Sequence, residues 1–214
     1  MKKTVIYLIR HGESQGNAIR SFLGHTNLDL TDKGHIQADL TAKYLSGIHA
    51  DTIYSSDLLR AYNTAKHTAD ARSMEIIKNE RLREIYAGVW ENRLFNDLEK
   101  EYAKSYFVWR NDIGNCRPDG GESVEELQKR IVTELTRIAD ENTGKTVFIF
   151  THATPIRVFK AFCDGKQKEE IKDIPWAPNA SVTKSVYENG IFTVTSYGED
   201  GFMGDFSSTL PKNV

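Results

Sequence analysis

Cysteine is scarce in this 214-residue chain, with two in all, Cys116 and Cys163. They lie far apart and match no metal-ligand or redox spacing. A disulfide framework is therefore not expected, and a reducing, cytoplasmic setting fits best. Long apolar runs are missing too: nothing approaches the roughly 20 residues of a membrane-spanning helix. The opening MKKTVIYLIR has the charge-then-apolar order of a secretory leader. Its apolar run is too short, though, and Arg10-His11 closes it where small residues would be needed for cleavage. Neither sign of charge dominates. The net charge is −2 with 27% charged residues, and the basic residues are not gathered into a run, so no nucleic-acid partner is expected. Internal repeats and low-complexity segments are also absent. The length suits a single domain over residues 1–214, with one sizeable core and room for a small insertion.

What is present reads as alternating strands and helices. TVIYLI is apolar without alternation, as in a strand buried on both faces of a parallel sheet. Thr31 can cap a helix with apolar positions Ile36, Leu40 and Leu45, and Gly47 can end it. DTIYSS is a second strand. It leads into a helix, DLLRAYNTAKHTADA, with Asp57 at its positive end, and MEIIK is a third strand. SVEELQKRIVTELTRIADE opens on a capping box, Ser123 with Glu126, and shows one apolar face: Val124, Leu127, Ile131, Leu135, Ile138. KTVFIFTH is a further apolar strand, and TPIRVFKAFCDG follows as a helix with proline near its first turn. SVTKSVYE and IFTVTSY flank Asn189-Gly190, a two-residue hairpin signal. The tail from Gly198 reads as loosely ordered. Residues 85–120 break the alternation, with a helix RLFNDLEKEYAKSYFVWR followed by a loop. They read as a small helical cap inserted into an α/β fold, whose mostly parallel sheet carries helices on both faces.

In such sheets ligands bind beyond the carboxyl ends of the strands. Two strands end there in histidine, at Arg10-His11 and Thr151-His152, and a third leads to Arg60. Two histidines and two arginines in one crevice suit a phosphoryl group. Arginine's planar fork pairs with phosphate oxygens, a neutral imidazole is a competent nucleophile, and fixed cations stabilise the transition state. The departing oxygen needs a proton, and LREIYAGVWE offers Glu84 or Glu91.

The blocks LIRHGES..N, SSDLLRAYNTA, LREI.AG.WE, GGES and THATPIR follow in that order from about residue 5 to 160. In this combination the chain resembles the histidine phosphatase superfamily, in its phosphoglycerate-mutase-like branch, and most of all the cofactor-independent phosphatases there. The resemblance implies a mostly parallel sheet flanked by helices with a small cap, and neither metal nor cofactor. It implies that His11 is transiently phosphorylated, that Arg10 and Arg60 bind phosphate with Asn17, that Glu84 is the acid, and that His152 is the second catalytic histidine and a substrate contact. Leu23 and Gly24 fall among the substrate contacts. Three positions depart from the pattern: Ala153 stands where glycine is usual, Asn92 replaces the glycine of a WEG triplet, and Leu23 replaces a threonine common in the mutases.

Each residue also has a plainer reading. Arg60 could be a solvated helix residue, Glu84 a surface partner of Arg81 or Arg83, and His152 a ring satisfying a backbone carbonyl. His25, His35, His49 and His67 read as surface residues, with His25 near the phosphate block. Tyr102, Tyr106, Phe107 and Trp109 read as cap packing that could also line a pocket mouth. The expected activity is hydrolysis of a small-molecule phosphate ester through phosphohistidine, a phosphoric monoester hydrolase of the histidine acid type. The alternatives are a phosphoglycerate mutase and a non-catalytic phosphate-binding module. A mutase must hold a carboxylate and two phosphates, whereas YFVWRNDIGNCRPDGGES offers only the isolated Arg110 and Arg117.

Overall fold

The computed structural model describes residues 2–208. In chain order its elements are β1 (Thr4–Arg10), α1 (Gln15–Ala18), β2 (Ser21–Phe22), α2 (Asp32–Leu45), β3 (Thr52–Ser55), α3 (Leu59–Asp70) and β4 (Ile76–Lys78). Then come β5 (Arg93–Leu94), α4 (Phe95–Glu101), α5 (Ala103–Asn111), α6 (Val124–Glu141), β6 (Thr146–Thr151), α7 (Ala153–Cys163), β7 (Val182–Glu188) and β8 (Ile191–Glu199). Six strands form one sheet in the order β4-β3-β6-β1-β7-β8. The first four are parallel, and β7 and β8 run antiparallel at one edge.

The unalternating apolar runs of β1 and β6 follow from this arrangement, because side chains of a central strand alternate between two covered faces. Ile6, Leu8, Val147 and Ile149 pack with α6 and α7 through Leu127, Ile131, Leu135 and Phe159. Tyr7, Ile9, Phe148 and Phe150 point the other way, onto α2 and α3 through Leu45, Ala65 and Ala69. The chain is thus an α/β fold with a mostly parallel sheet and helices on both faces. None of its helices among the described residues is long and apolar enough to cross a membrane.

Several local expectations hold in detail. Ser123 and Glu126 form the reciprocal capping box of α6, whose buried face carries all five expected residues. Asn189 and Gly190 both take positive φ, at 56° and 80°, as a type I′ turn requires. Others need correction. The buried face of α2 is Gly34, Gln37, Ala38, Thr41 and Leu45, and Ile36 is 40% exposed. Polar residues win there because they have specific partners: Gln37 accepts from Glu13 N and donates to Phe206 O, and Thr41 donates to Ala180 O. Gly47 takes no left-handed cap, since α2 ends through a right-handed Ser46. Asp57 lies just before α3, at its positive end as expected. It is bound by Arg83 from two nitrogens, and Asn27 Oδ1 accepts from Leu59 N.

The segment expected as one helix from Arg93 is a strand and two helices. Arg93–Leu94 pairs with Ser21–Phe22, and Tyr102 (φ −123°, ψ 37°) breaks the helix between α4 and α5. Its aromatics pack edge-to-face: Phe22 meets Trp90 and Trp109, and Trp90 meets Tyr106. Phe107 alone of the four expected cap aromatics points out, at 65% exposure. The tail is ordered further than expected. Strand β8 reaches Glu199, short 3-10 turns kinked at Gly204 span Gly201–Phe206, and Phe202 stacks on Tyr44. Residues 209–214 lie outside the described part.

Candidate active site

Strands β3, β6 and β1 are neighbours and parallel, so their carboxyl ends open on the same edge. That edge delivers Ser56, His152 and His11 side by side. The loop after His11 turns tightly because Gly12 and Gly34 pass backbone to backbone. A Cβ on Gly12 would strike Gly34 O, and one on Gly34 would strike Glu13 O. Asn179 ties the loop from the far side, donating to His11 O and to Asn17 Oδ1 at 3.2 Å each.

The two imidazoles are buried and meet edge-on, with centroids 5.2 Å apart. Nδ1 of His11 lies 2.7 Å from Gly12 O. A carbonyl can only accept, so Nδ1 carries the proton in the neutral ring and Nε2 carries the lone pair. Nε2 of His152 lies 2.9 Å from Ser56 Oγ, and its Nδ1 is buried without a partner. Burial, then the nearby cations, hold both rings well below the usual histidine range: Arg60 and Arg10 act on His11, and Arg60 acts foremost on His152.

Arg10 and Arg60 are buried cations with no carboxylate at salt-bridge distance among the described residues. Arg10 donates to Ala177 O at 2.7 Å, and Arg60 to Thr26 O and Gly24 O at 2.8 and 2.7 Å. The Nε of each is buried and unpartnered. Burial pulls each down to about 10, with Glu84's charge opposing. They remain charged at neutral pH, and burying such groups without a counter-ion costs several kcal/mol each. An anion between them would relieve that cost.

The two candidate carboxylates differ sharply. Glu84 lines the cavity, its Oε1 accepting from Ile85 N at 2.8 Å and its Oε2 from Thr154 N at 3.3 Å in the first turn of α7. Glu91 is consumed as a bracket. Oε1 accepts from His25 N and Ala87 N, and Oε2 from Thr26 N and Thr26 Oγ1. This bracket clamps the loop that carries Leu23 and Gly24. Gly24 has φ 49°, and a Cβ there would collide with Glu91. His25 reaches Glu84 O through Nε2, so it supports the backbone behind Glu84 rather than the cavity.

The cavity holds about 460 Å³. Of the expected residues, Arg10, His11, Asn17, Leu23, Gly24, Arg60 and Glu84 lie on its wall. His152 does not: it sits against His11, off the wall. Ala153 lies on the wall at the α7 N-terminus. Asn92 has φ 58°, a left-handed conformation that asparagine tolerates, so the missing glycine changes little there. The sequence reading missed Arg20, Phe22, Phe95 and Trp176 on the wall. It also missed Arg157, which donates to Ile171 O and Lys172 O and stacks on Trp176, holding that segment in place. The Arg in THATPIR was a visible signal for it.

The neutral histidines make a stability prediction. Their folded pKa values are depressed, so below about pH 6.5 the unfolded chain binds protons that the fold refuses. Stability should therefore fall as pH drops from about 6.5, by up to about 1.4 kcal/mol per pH unit for each ring. Urea midpoints between pH 6.5 and 5 should decline, and His152→Asn should flatten the slope. An equal slope in both proteins would contradict this.

Comparison with known proteins places the chain in a family. The model of the histidine phosphatase superfamily, branch 1, matches residues 6–200. Phosphoserine phosphatase 1 of Hydrogenobacter thermophilus is 34% identical, over 71% of this chain and 72% of that protein. Phosphoglycerate mutase-like protein 4 of Arabidopsis thaliana is 35% identical, over 71% of this chain and 67% of its own. Among solved structures, YhfR of Bacillus stearothermophilus superposes with a TM-score of 0.90 at 28% identity, covering 94% of this chain and 99% of that one.

Proposed function

The chain belongs to the histidine phosphatase superfamily, and on that premise we propose that it hydrolyses a small-molecule phosphate monoester through a phosphohistidine on His11. The observation that carries this reading is a neutral imidazole with Nε2 unprotonated beside two buried arginines that lack a counter-ion.

The Nε2 lone pair attacks phosphorus, a P–N bond forms and the ester P–O bond breaks. The ring then becomes cationic, and Gly12 O, accepting from Nδ1–H, stabilises that charge. Arg10, Arg60 and Asn17 hold the non-bridging oxygens, where negative charge is spread, and His152 backs the His11 ring from behind the wall. Glu84 gives its proton to the departing alcohol oxygen. A water molecule then attacks the phosphohistidine and loses its proton to Glu84. The P–N electron pair returns to Nε2. Burial keeps His11 neutral well below the usual histidine range, so the nucleophile stays available in mild acid, as a phosphatase of the histidine acid type would need. Residues 85–120 act as the cap, contributing Phe95 and Trp109 to the pocket.

Mutase chemistry is the second reading, favoured by the mutase-like relative. A mutase site must neutralise two phosphates and a carboxylate. Here the wall beyond Arg10 and Arg60 adds a single further cation, Arg20, beside the aromatics Phe22, Phe95, Trp109 and Trp176, which favours transfer to water. The deciding experiment compares release of phosphate from p-nitrophenyl phosphate with mutase turnover of phosphoglycerate. Dominant mutase turnover would reverse the assignment.

No group of three or more His, Cys, Asp or Glu side chains that could hold a metal occurs among the described residues, and no step above uses one. Activity should accordingly survive exhaustive EDTA treatment. Loss with EDTA and recovery with a divalent cation would count against the mechanism.

A further inference from the structure

Arg20 stands apart from every other arginine in the protein. The rest each engage a carboxylate or a carbonyl oxygen: Arg10, Arg60, Arg72 and Arg157 bind carbonyls, and the others reach acidic side chains. Among the described residues the Arg20 guanidinium has no hydrogen bond or ion pair, yet Arg20 lies on the wall of the catalytic cavity. Its charge falls within electrostatic reach of the Tyr106 hydroxyl, on the side of α5.

The backbone adds a second observation. Arg20 has φ 59°, a left-handed conformation that strains a bulky side chain and that glycine or asparagine would take more easily. Two hydrogen bonds hold it there, Arg20 N to Asn17 O and Phe95 N to Arg20 O. The strained position thus lies between a proposed phosphate contact, Asn17, and an aromatic of the pocket wall, Phe95. Phe22, Phe95, Trp109 and Trp176 give the same wall a large aromatic surface.

We propose that Arg20 is a specificity residue that pairs with a carboxylate on the leaving alcohol, so that the preferred substrates are phosphate esters with an apolar or aromatic body and one further negative charge. This rests on the phosphatase reading above. The charges then match: Arg10 and Arg60 face the phosphate, Arg20 faces the carboxylate, and the aromatics cover the body between them. Arginine suits the task because its fork binds a carboxylate through two parallel hydrogen bonds.

The test compares kcat/KM for phenyl phosphate with that for meta- and para-carboxyphenyl phosphate, in the wild type, Arg20→Gly and Arg20→Lys. Glycine removes the charge and relieves the backbone, so loss of folding is not a concern, and lysine restores a cation without the fork. The wild type should prefer one carboxylated ester by about tenfold or more, the scale of a charge-assisted hydrogen bond. Arg20→Gly should bring the ratio to near one, and Arg20→Lys should recover part of it. Equal turnover of all three esters by the wild type, or the same preference in Arg20→Gly, overturns this proposal alone. Failure of the wild type to hydrolyse any of them overturns the phosphatase reading and this proposal with it.

Discussion

His11→Ala is expected to lower kcat by a factor on the order of 10³–10⁶, the usual scale for losing a catalytic nucleophile. The ring is the group in the cavity with a lone pair held ready, since Gly12 O takes the Nδ1 proton and leaves Nε2 free. Without it, water would have to attack the ester directly, still aided by the cations. Arg10 and Arg60 are held by carbonyls of Ala177, Thr26 and Gly24 rather than by His11, so the phosphate site should persist. The variant should therefore bind orthophosphate or vanadate while turning over almost nothing. Brief mixing with substrate followed by alkaline quenching, which preserves phosphohistidine, should label the wild type and not His11→Ala. Residual activity above about 1% of wild type would end the phosphohistidine mechanism. Label found on His152 would mean the two imidazoles have been assigned the wrong way round.

Glu84→Gln should separate substrates by their leaving groups. Glutamine keeps the shape and an acceptor oxygen for Ile85 N, but it has no proton to give. An alkoxide is a strong base and needs that proton, whereas p-nitrophenolate hardly does. Hydrolysis of an alkyl phosphate should slow by about 10²–10⁴-fold, the range for general acid catalysis, with p-nitrophenyl phosphate affected far less. The measurement is kcat/KM, because it reports the first phosphoryl transfer. Glu91→Gln should show no such contrast. It places an NH2 group among the donors His25 N, Ala87 N and Thr26, and should cost about 1–3 kcal/mol of stability instead. Equal losses on both substrates in Glu84→Gln would move Glu84 to positioning. A leaving-group contrast in Glu91→Gln would mean the wrong carboxylate has been named.

By itself, the sequence determined the features whose cause is local. Strands β1 and β6 were legible because both faces of a central strand are covered, which leaves an unbroken apolar run. Helix α6 was legible because its cap and its stripe lie in one stretch of chain. Arg10, His11, Arg60, Glu84 and His152 stood out because their residue types fall in short contiguous blocks of the chain. Tertiary structure decided what depends on distant partners. The buried face of α2 is polar because Glu13, Ala180 and Phe206 supply its hydrogen bonds, which no apolar periodicity can reveal. Glu84 and Glu91 are alike in sequence, and only the fold shows that four donors consume Glu91 while Glu84 faces the cavity. Arg20, Phe95 and Trp176 come from segments far apart in the chain, and nothing local marks them as neighbours. They meet because β2 pairs with β5 and Arg157 holds the segment before β7, so the substrate end of the pocket exists only once the chain has folded.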